Sequence, residues 1–444
     1  MTSSTWAQRK SLIWRLHLWA AFLATPFAVV GTLTGILYIF TPQIEAVLHG
    51  HLDRVTASGA PLKLDALVSL AQQAAPRGGA LRYVVTPDTP LQSIRVYFSA
   101  PPQAHGSGHD KAHSDHPAPQ GSIVYVDPYR GDVLGVHGEM DRFGTWSKRL
   151  HSSLLQGNDW RWMLELSASW LVVMLLTGIC LWWPRGQATA LPKAGVNGRA
   201  GWKQWHAFAG VVLALVTFAI LITGLTWSRH AGQQIKTAAE WMGQKQADVP
   251  KGFRSSVGPT LLDWQGAWDA TRSHAPHISY QISAPQKAEE PWRVTHFDRS
   301  QPTKRFNLWL DGQNGQVLHR TGWDSLTWFN KATAVGIPFH RGEFGVWNQA
   351  LLLVFGLGVL WGVVSGWVMF WTRKRQGWLG LPRVLPGAWR SLPLGAWVLA
   401  VLLLVAMPLL ALSALGVVAC EAWAAWQARR HRGLESGAGA SPQG

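Results

Sequence analysis

The chain has 444 residues, a formal net charge of +16, 48% hydrophobic residues and only 14% charged ones. So low a charged fraction excludes an ordinary soluble enzyme and fits apolar segments lying in lipid with basic residues at their edges. The Lys and Arg form no aromatic-interleaved patch, which excludes nucleic acid as a partner. The 28 Trp gather near the ends of apolar runs, as interfacial belts do.

In chain order, residues 1–40 hold a cytoplasmic N-terminus and a first apolar run at 16–40. A spanning helix needs about 20 apolar residues. This run exceeds a signal-peptide core and has no small-residue cleavage site, so it is expected to stay as an anchor. Further runs follow at 160–183, 204–228, 346–371 and 393–420. The basic flanks Arg9, Lys10 and Arg15, then Arg185, Lys193, Arg199 and Lys203, then Arg373, Lys374 and Arg375 mark the cytoplasmic side. That leaves the loops 184–203 and 372–392 inside, and segments 41–159 and 229–345 outside, in the periplasm of a Gram-negative cell. The segment 393–428 is expected as a fifth span or, broken at Pro408, a re-entrant pair. As a single span it would leave the basic tail at 429–444 on the wrong side for the rule.

Each external segment opens with a helical stretch, "LKLDALVSLAQQA" or "LLDWQGAWDATRS", and continues with alternating strands such as "SIRVYFSA" and "FNLWLDG". Both read as small α+β units. The first is interrupted by "HGSGHDKAHSDH" at 105–116. A solvated loop is the plainer reading, with weak transition-metal binding by His105, His109, His113 and His116 as the alternative. Cys180 and Cys420 sit in apolar runs and form no CxxC, zinc or CxxCH motif, which argues against a disulfide scaffold and covalent haem.

The chain also repeats itself. His17 precedes Thr34-Gly35 by 17 residues, and His206 precedes Thr223-Gly224 by 17. His151 precedes Thr177-Gly178 by 26 residues, and His340 precedes Ser365-Gly366 by 25. In the inserts, "VDPYRGDVL" matches "LDGQNGQVL". A unit of helix, insert and helix, used twice in one orientation, predicts a bundle of four core helices related by a pseudo-twofold along the membrane normal. An extra C-terminal segment follows. The Thr-Gly pairs read as helix-packing points.

That axis exchanges His17 with His206 near the inner face and His151 with His340 near the outer. Both members of each pair are expected to begin their spanning helices. Two facing imidazoles suit the axial positions of an iron porphyrin and saturate it for electron transfer. Roughly 20 residues at 1.5 Å each would set two such sites about 20 to 30 Å apart. Arg15 and Lys203 inside, with Lys148, Arg149 and Arg341 outside, are candidate propionate partners. His230 competes for the outer site, and His49 and His51 read as surface residues. A lone histidine at a helix mouth is more often an interfacial residue, and only the fourfold recurrence argues otherwise.

The openings "LH", then "LLTGICLWWPR", "FHRGEFG" and "SGWVMFWTRKR", occur in an order that resembles the PepSY-associated transmembrane family over about residues 10 to 375. The endings "VYVDPYRGDVLG" and "LWLDGQNGQVLH" resemble PepSY domains. The resemblance implies an inner-membrane protein with two haem b groups held by His17, His151, His206 and His340, reducing an iron(III)-siderophore in the periplasm. Nothing after residue 375 is long or polar enough for a flavoprotein domain, so the expected donor is a separate protein or a quinol. No nucleophile or carboxylate dyad is needed for that chemistry. Two other functions fit the same organisation: a membrane-anchored module acting on a periplasmic peptidase, and a transporter of an ion or chelate. Neither uses paired helix-mouth histidines.

Overall fold

The computed structural model describes residues 3–100, 121–183, 191–246, 254–256, 261–274, 278–287, 289–373 and 380–438. The His-rich loop with His105, His109, His113 and His116 lies outside them. In chain order the helices are α1 (Ser3–Ile39), α2 (Thr41–Leu48), α3 (Gly50–Asp53), α4 (Leu64–Ala74), α5 (Phe143–Ser153), α6 (Trp162–Trp182) and α7 (Gly198–Val212). They continue as α8 (Ala214–Leu225), α9 (Ala231–Trp241), α10 (Trp264–Arg272), α11 (Trp328–Arg341), α12 (Val346–Trp371), α13 (Leu394–Ala406) and α14 (Pro408–Ala438). The strands are β1 (Leu81–Val85), β2 (Ile94–Ser99), β3 (Gly121–Val126), β4 (Val133–Gly138), β5 (Tyr280–Ser283), β6 (Trp292–His296), β7 (Phe306–Leu310) and β8 (Val317–Gly322). The chain divides into two compact units, residues 1–35, 159–242 and 351–444 in the first, 36–158 and 243–350 in the second.

The first unit is helical. Among the described residues, Thr5–Ile39, Asn158–Trp182, Val346–Trp371 and Pro408–Gln427 are each long and apolar enough to cross a membrane. The third expected span is not one straight helix but α7 and α8, bent by 58°. No proline causes the bend. At it, Leu213 presses into a notch left by Gly358 of α12, where a Cβ would collide with the leucine side chain. Small residues let membrane helices approach in this way.

The fifth expected span is a pair. Helix α13 runs for 13 residues, the backbone turns at Met407, and α14 starts at Pro408, whose missing N–H costs nothing at a first helical position. Ser391, just before α13, accepts from Arg9 Nε at 2.5 Å, while Glu421 on α14 accepts from Arg15 and Trp19. Both ends of the pair therefore lie beside the N-terminal half of α1, and the chain doubles back between them. This removes the conflict with the positive-inside rule, because α14 carries the chain back toward the N-terminal face. Met407 and Leu410, 4% and 3% exposed at the turn, pack with Trp170, Leu225 and Ala231.

The second unit holds one antiparallel sheet of eight strands in the order β4-β3-β2-β1-β5-β6-β7-β8. Among the described residues each insert contributes four strands and one helix packed on the sheet face, α4 or α10, and the two sets do not stand apart. Strands β1 and β5 pair, Val84 with Ile282 and Val85 with Gln281, so the sheet is continuous. Alternation sends Val84, Val96, Val124, Val294 and Leu308 to one face, where Leu64, Leu67 and Val68 of α4 and Ala267 of α10 cover them. Val85, Ile123 and Tyr125 face the other way and pack on Leu52 of α3.

Helices α4 and α10 cap each other. Asp65 of α4 accepts from the backbone N–H of Trp264 and Gln265 at 2.9 and 3.0 Å, and Gln265 accepts from Leu64 N at 2.9 Å. The two turns singled out by sequence are also alike. Asp127 N donates to Asp132 O at 2.9 Å, and Asp311 N to Gln316 O at 2.8 Å. Gly131 and Gly315 occupy φ of 78° and 70°, which a side chain would resist.

Candidate functional site

The first unit brings two of the four histidines together. His17 lies in α1, His206 in α7, and their ring centroids are 6.5 Å apart with planes at 89°. Each ring is held from the opposite end of a neighbouring helix. His17 Nδ1 lies 3.1 Å from Met174 O and 3.0 Å from Thr177 Oγ1 on α6, and His206 Nδ1 lies 2.8 Å from Ser365 Oγ on α12. Thr177 and Ser365 spend their own protons on the carbonyls of Val173 and Trp361, at 2.7 and 2.6 Å. Their oxygens therefore accept, and both histidines carry the proton on Nδ1. That tautomer leaves the Nε2 lone pair as the ligating one.

The next residue in each case is glycine. A Cβ at Gly178 would stand 3.3 Å from His17 Cε1, and one at Gly366 would stand 3.7 Å from His206 Cε1. So Thr177-Gly178 and Ser365-Gly366 are more than the helix-packing points expected from sequence: each hydroxyl orients an imidazole, and the missing side chain at Gly178 gives His17 room. The surroundings are aromatic. Trp202 stacks on Trp361 at 5.1 Å, and Phe22 meets Trp367 and Phe370 at 5.3 and 5.5 Å.

Two imidazoles sharing one metal, each bonded at about 2.0–2.1 Å, would place their centroids roughly 6 to 6.5 Å apart. The observed separation of 6.5 Å matches, so the residues fit a metal held between two imidazoles. His230 does not compete there. Its Nδ1 lies 3.3 Å from the carboxylate of Glu165, a buried residue that also accepts from the backbone of His230 and Ala231 and so caps α9.

Of the propionate candidates on this unit, Arg15 is already committed. It donates to both carboxylate oxygens of Glu421, at 2.7 and 2.5 Å, and to Pro382 O. The sequence could not show this, because the partner lies 406 residues away. Lys203 is exposed on α7. A residue not singled out as a partner, Arg373, lies over the rings of Trp14 and Phe370, 5.2 Å from each centroid.

His151 and His340 belong to the second unit, and neither begins a spanning helix. His151 lies near the end of α5 and His340 near the end of α11, both half-buried; each helix then stops at a left-handed residue, Leu154 with φ 50° or Gly342 with φ 73°. The separate helices arise because "LHSSLLQGN" and "FHRGEFG" are too polar and glycine-interrupted to continue into the apolar runs.

Charged groups surround these ends. Arg341 donates to Tyr38 Oη at 2.7 Å and pairs with Glu343 at 2.8 Å. Packing raises the Glu343 carboxyl above its ordinary value, against the pull of Arg341 and Arg299. Arg149 reaches Met140 Sδ at 3.3 Å. Helix α5 is fixed by Glu45, which accepts from Gly144 N at 2.7 Å and pairs with Arg142 at 2.9 Å; Arg142 also grips Asp53. His49, expected at the surface, is buried and bonded to Glu45 at 2.8 Å.

A multi-pass membrane protein with a constrained histidine pair near one end of its helices and an antiparallel sheet in a second unit is thus the class that fold and site define. The chain belongs to the PepSY-associated TM region family, whose description matches residues 14–374. No curated protein matches it as a relative.

Proposed function

We propose that this protein carries electrons across the bacterial inner membrane, with two haem b groups as cofactors, and reduces an iron(III)-siderophore on the periplasmic side. The observation that carries the reading is the His17–His206 pair, 6.5 Å apart and each tied at Nδ1 to a helix hydroxyl. When bound, haem supplies reversible one-electron chemistry. His17 and His206 would hold the inner group, with Thr177 and Ser365 fixing the rings and Gly178 making room for His17. His151 and His340, near the ends of α5 and α11, would hold the outer one.

On this reading the chain is a tandem repeat. The matched spacings, the like turns at Asp127 and Asp311 and the palindromic strand order support it. The strand halves are then PepSY-like domains exposed to the periplasm, where an iron chelate docks. Reduction weakens the preference of iron for hard oxygen donors, so the chelate releases it. The donor is a cytoplasmic protein or membrane quinol, and the activity is that of an oxidoreductase.

The test is a spectrum. Purified protein should show a Soret band that sharpens and moves to the red on dithionite, and ferric siderophore added anaerobically should reverse the change. A coloured protein that stays reduced on adding the chelate would defeat the acceptor, and a colourless one from haem-replete cells would defeat the whole reading.

A further inference from the structure

The region around Arg15 holds a charged cluster that the proposed function leaves unused. Arg15 and Trp19 lie on one stripe of α1, and His17 lies between them in sequence. At 3.6 residues per turn, His17 points about 160° away from both. The two flanking side chains converge on one carboxylate. Glu421 Oε1 accepts from Arg15 Nε at 2.7 Å and from Trp19 Nε1 at 2.6 Å, and Oε2 accepts from Arg15 Nη2 at 2.5 Å.

The preceding loop grips the turns below. Gln8 Nε2 donates to Pro386 O at 2.8 Å, Arg9 Nε to Ser391 O at 2.5 Å, Arg15 Nη1 to Pro382 O at 2.5 Å, and Leu385 N to Ser11 Oγ at 3.0 Å. All of these partners lie beyond residue 374, past the stretch that the family description covers. A carboxylate at a lipid-facing helix is costly unless it has work to do, and here it takes the bidentate charge-assisted geometry that fixes orientation as well as distance.

We propose that residues 380–392 and α14 form a collar that sets the rotation of α1, and through it the plane of His17 against His206, with Glu421 as the positioning residue. The proposal rests on haem binding by that pair only for its second clause. The His17 contacts with α6 do not by themselves fix helix rotation, because Met174 O and Thr177 Oγ1 both engage the same ring nitrogen; on α6, Ser167 also donates to Ala24 O at 3.0 Å, and Ala20 and Ala24 pack there. The collar holds the opposite face of the same helix.

The test has two arms. Cys180 on α6 and Cys420 beside Glu421 are both exposed and are the chain's two cysteines, so nitroxide labels can be placed on the native sequence. Pulsed dipolar spectroscopy on the haem-free chain should give one narrow distance, broadened by Glu421→Leu and kept narrow by Glu421→Gln, whose amide oxygen still accepts. On haem-loaded protein, the perpendicular rings should give a low-spin ferric signal of large maximal g. Glu421→Leu should move that signal toward the rhombic form, Trp19→Phe should move it less, and the outer signal should stay put. If Glu421→Leu does not assemble, Trp19→Phe, which removes one of the donors to Glu421, carries both arms with a smaller broadening, and Glu421→Gln remains the control that keeps the distance narrow. An unchanged distance and an unchanged signal in Glu421→Leu, or in Trp19→Phe where it stands in, would overturn the collar. Wild-type protein without haem would defeat the proposed function and the clause on His17, while the distance arm still decides whether Glu421 docks α14.

Discussion

At the scale of single residues, the hydroxyls matter as much as the imidazoles. Each imidazole has one hydroxyl and one backbone carbonyl: Ser365 and Gly362 for His206, Thr177 and Met174 for His17. Ser365→Ala and Thr177→Val should therefore each weaken binding of the inner haem, by up to about 10 to 100-fold, the range for groups that orient metal ligands. Haem titration into the apo-protein measures both; no effect from either would contradict the assignment. The nearness of His17 and His206 was legible in the sequence because their spacing repeats. The hydroxyl contacts were not, since only the packing of α6 on α1 and α12 on α7 reveals where Thr177 and Ser365 point. A second residue-scale prediction concerns pH. Ser256 donates to Asp311 from its side chain at 2.6 Å and its backbone at 3.0 Å, which holds the Asp311 carboxyl below its ordinary value. A carboxyl lowered by folding stabilises fully above the unfolded pKa, about 3.9, and loses that contribution as pH falls through its folded value. Asp311→Asn should thus lower thermal stability at neutral pH and flatten its fall below pH about 4. An unaltered acid limb would refute the account.

At the scale of elements, local pattern indicated which segments are helix and strand but not how they break or join. The apolar run at 204–228 carries no proline, and the seating of Leu213 at its bend in the notch at Gly358 is a long-range fact. The run at 393–420 did contain its own signal, Pro408, and the chain does turn there. His151 and His340, expected to begin the spans at 160–183 and 346–371, lie instead on α5 and α11, which end before α6 and α12 start at Trp162 and Val346. Mutual capping of α4 and α10 joins residues about two hundred positions apart, beyond any sequence window. Because Asp65 is the acceptor for two N–H groups of α10, Asp65→Ala should destabilise the sheet unit by about 0.5–2 kcal/mol, read as a lowered midpoint in near-UV circular dichroism of the full chain. No change would mean that Asp263, which caps α10 from Gly266 N at 2.7 Å, suffices alone.

For the whole molecule, composition and hydropathy made the membrane class plain, and ordered motifs made the family plain. The joining of both inserts into one sheet was hidden, since the β1–β5 pairing uses two edges that each insert would otherwise leave open. Topology gives a further prediction. With α13 and α14 folded back, reporters fused at the N- and C-termini should both read cytoplasmic, and a C-terminal reporter active only in the periplasm would contradict the hairpin. The central claim is that His17 and His206 share one haem. Haem per chain, measured on wild type, His17→Ala, His206→Ala and the double variant, tests it most directly. The account predicts two in wild type and one in each of the three variants, the second substitution removing nothing more. A wild type without haem, or single variants that retain both, would contradict it.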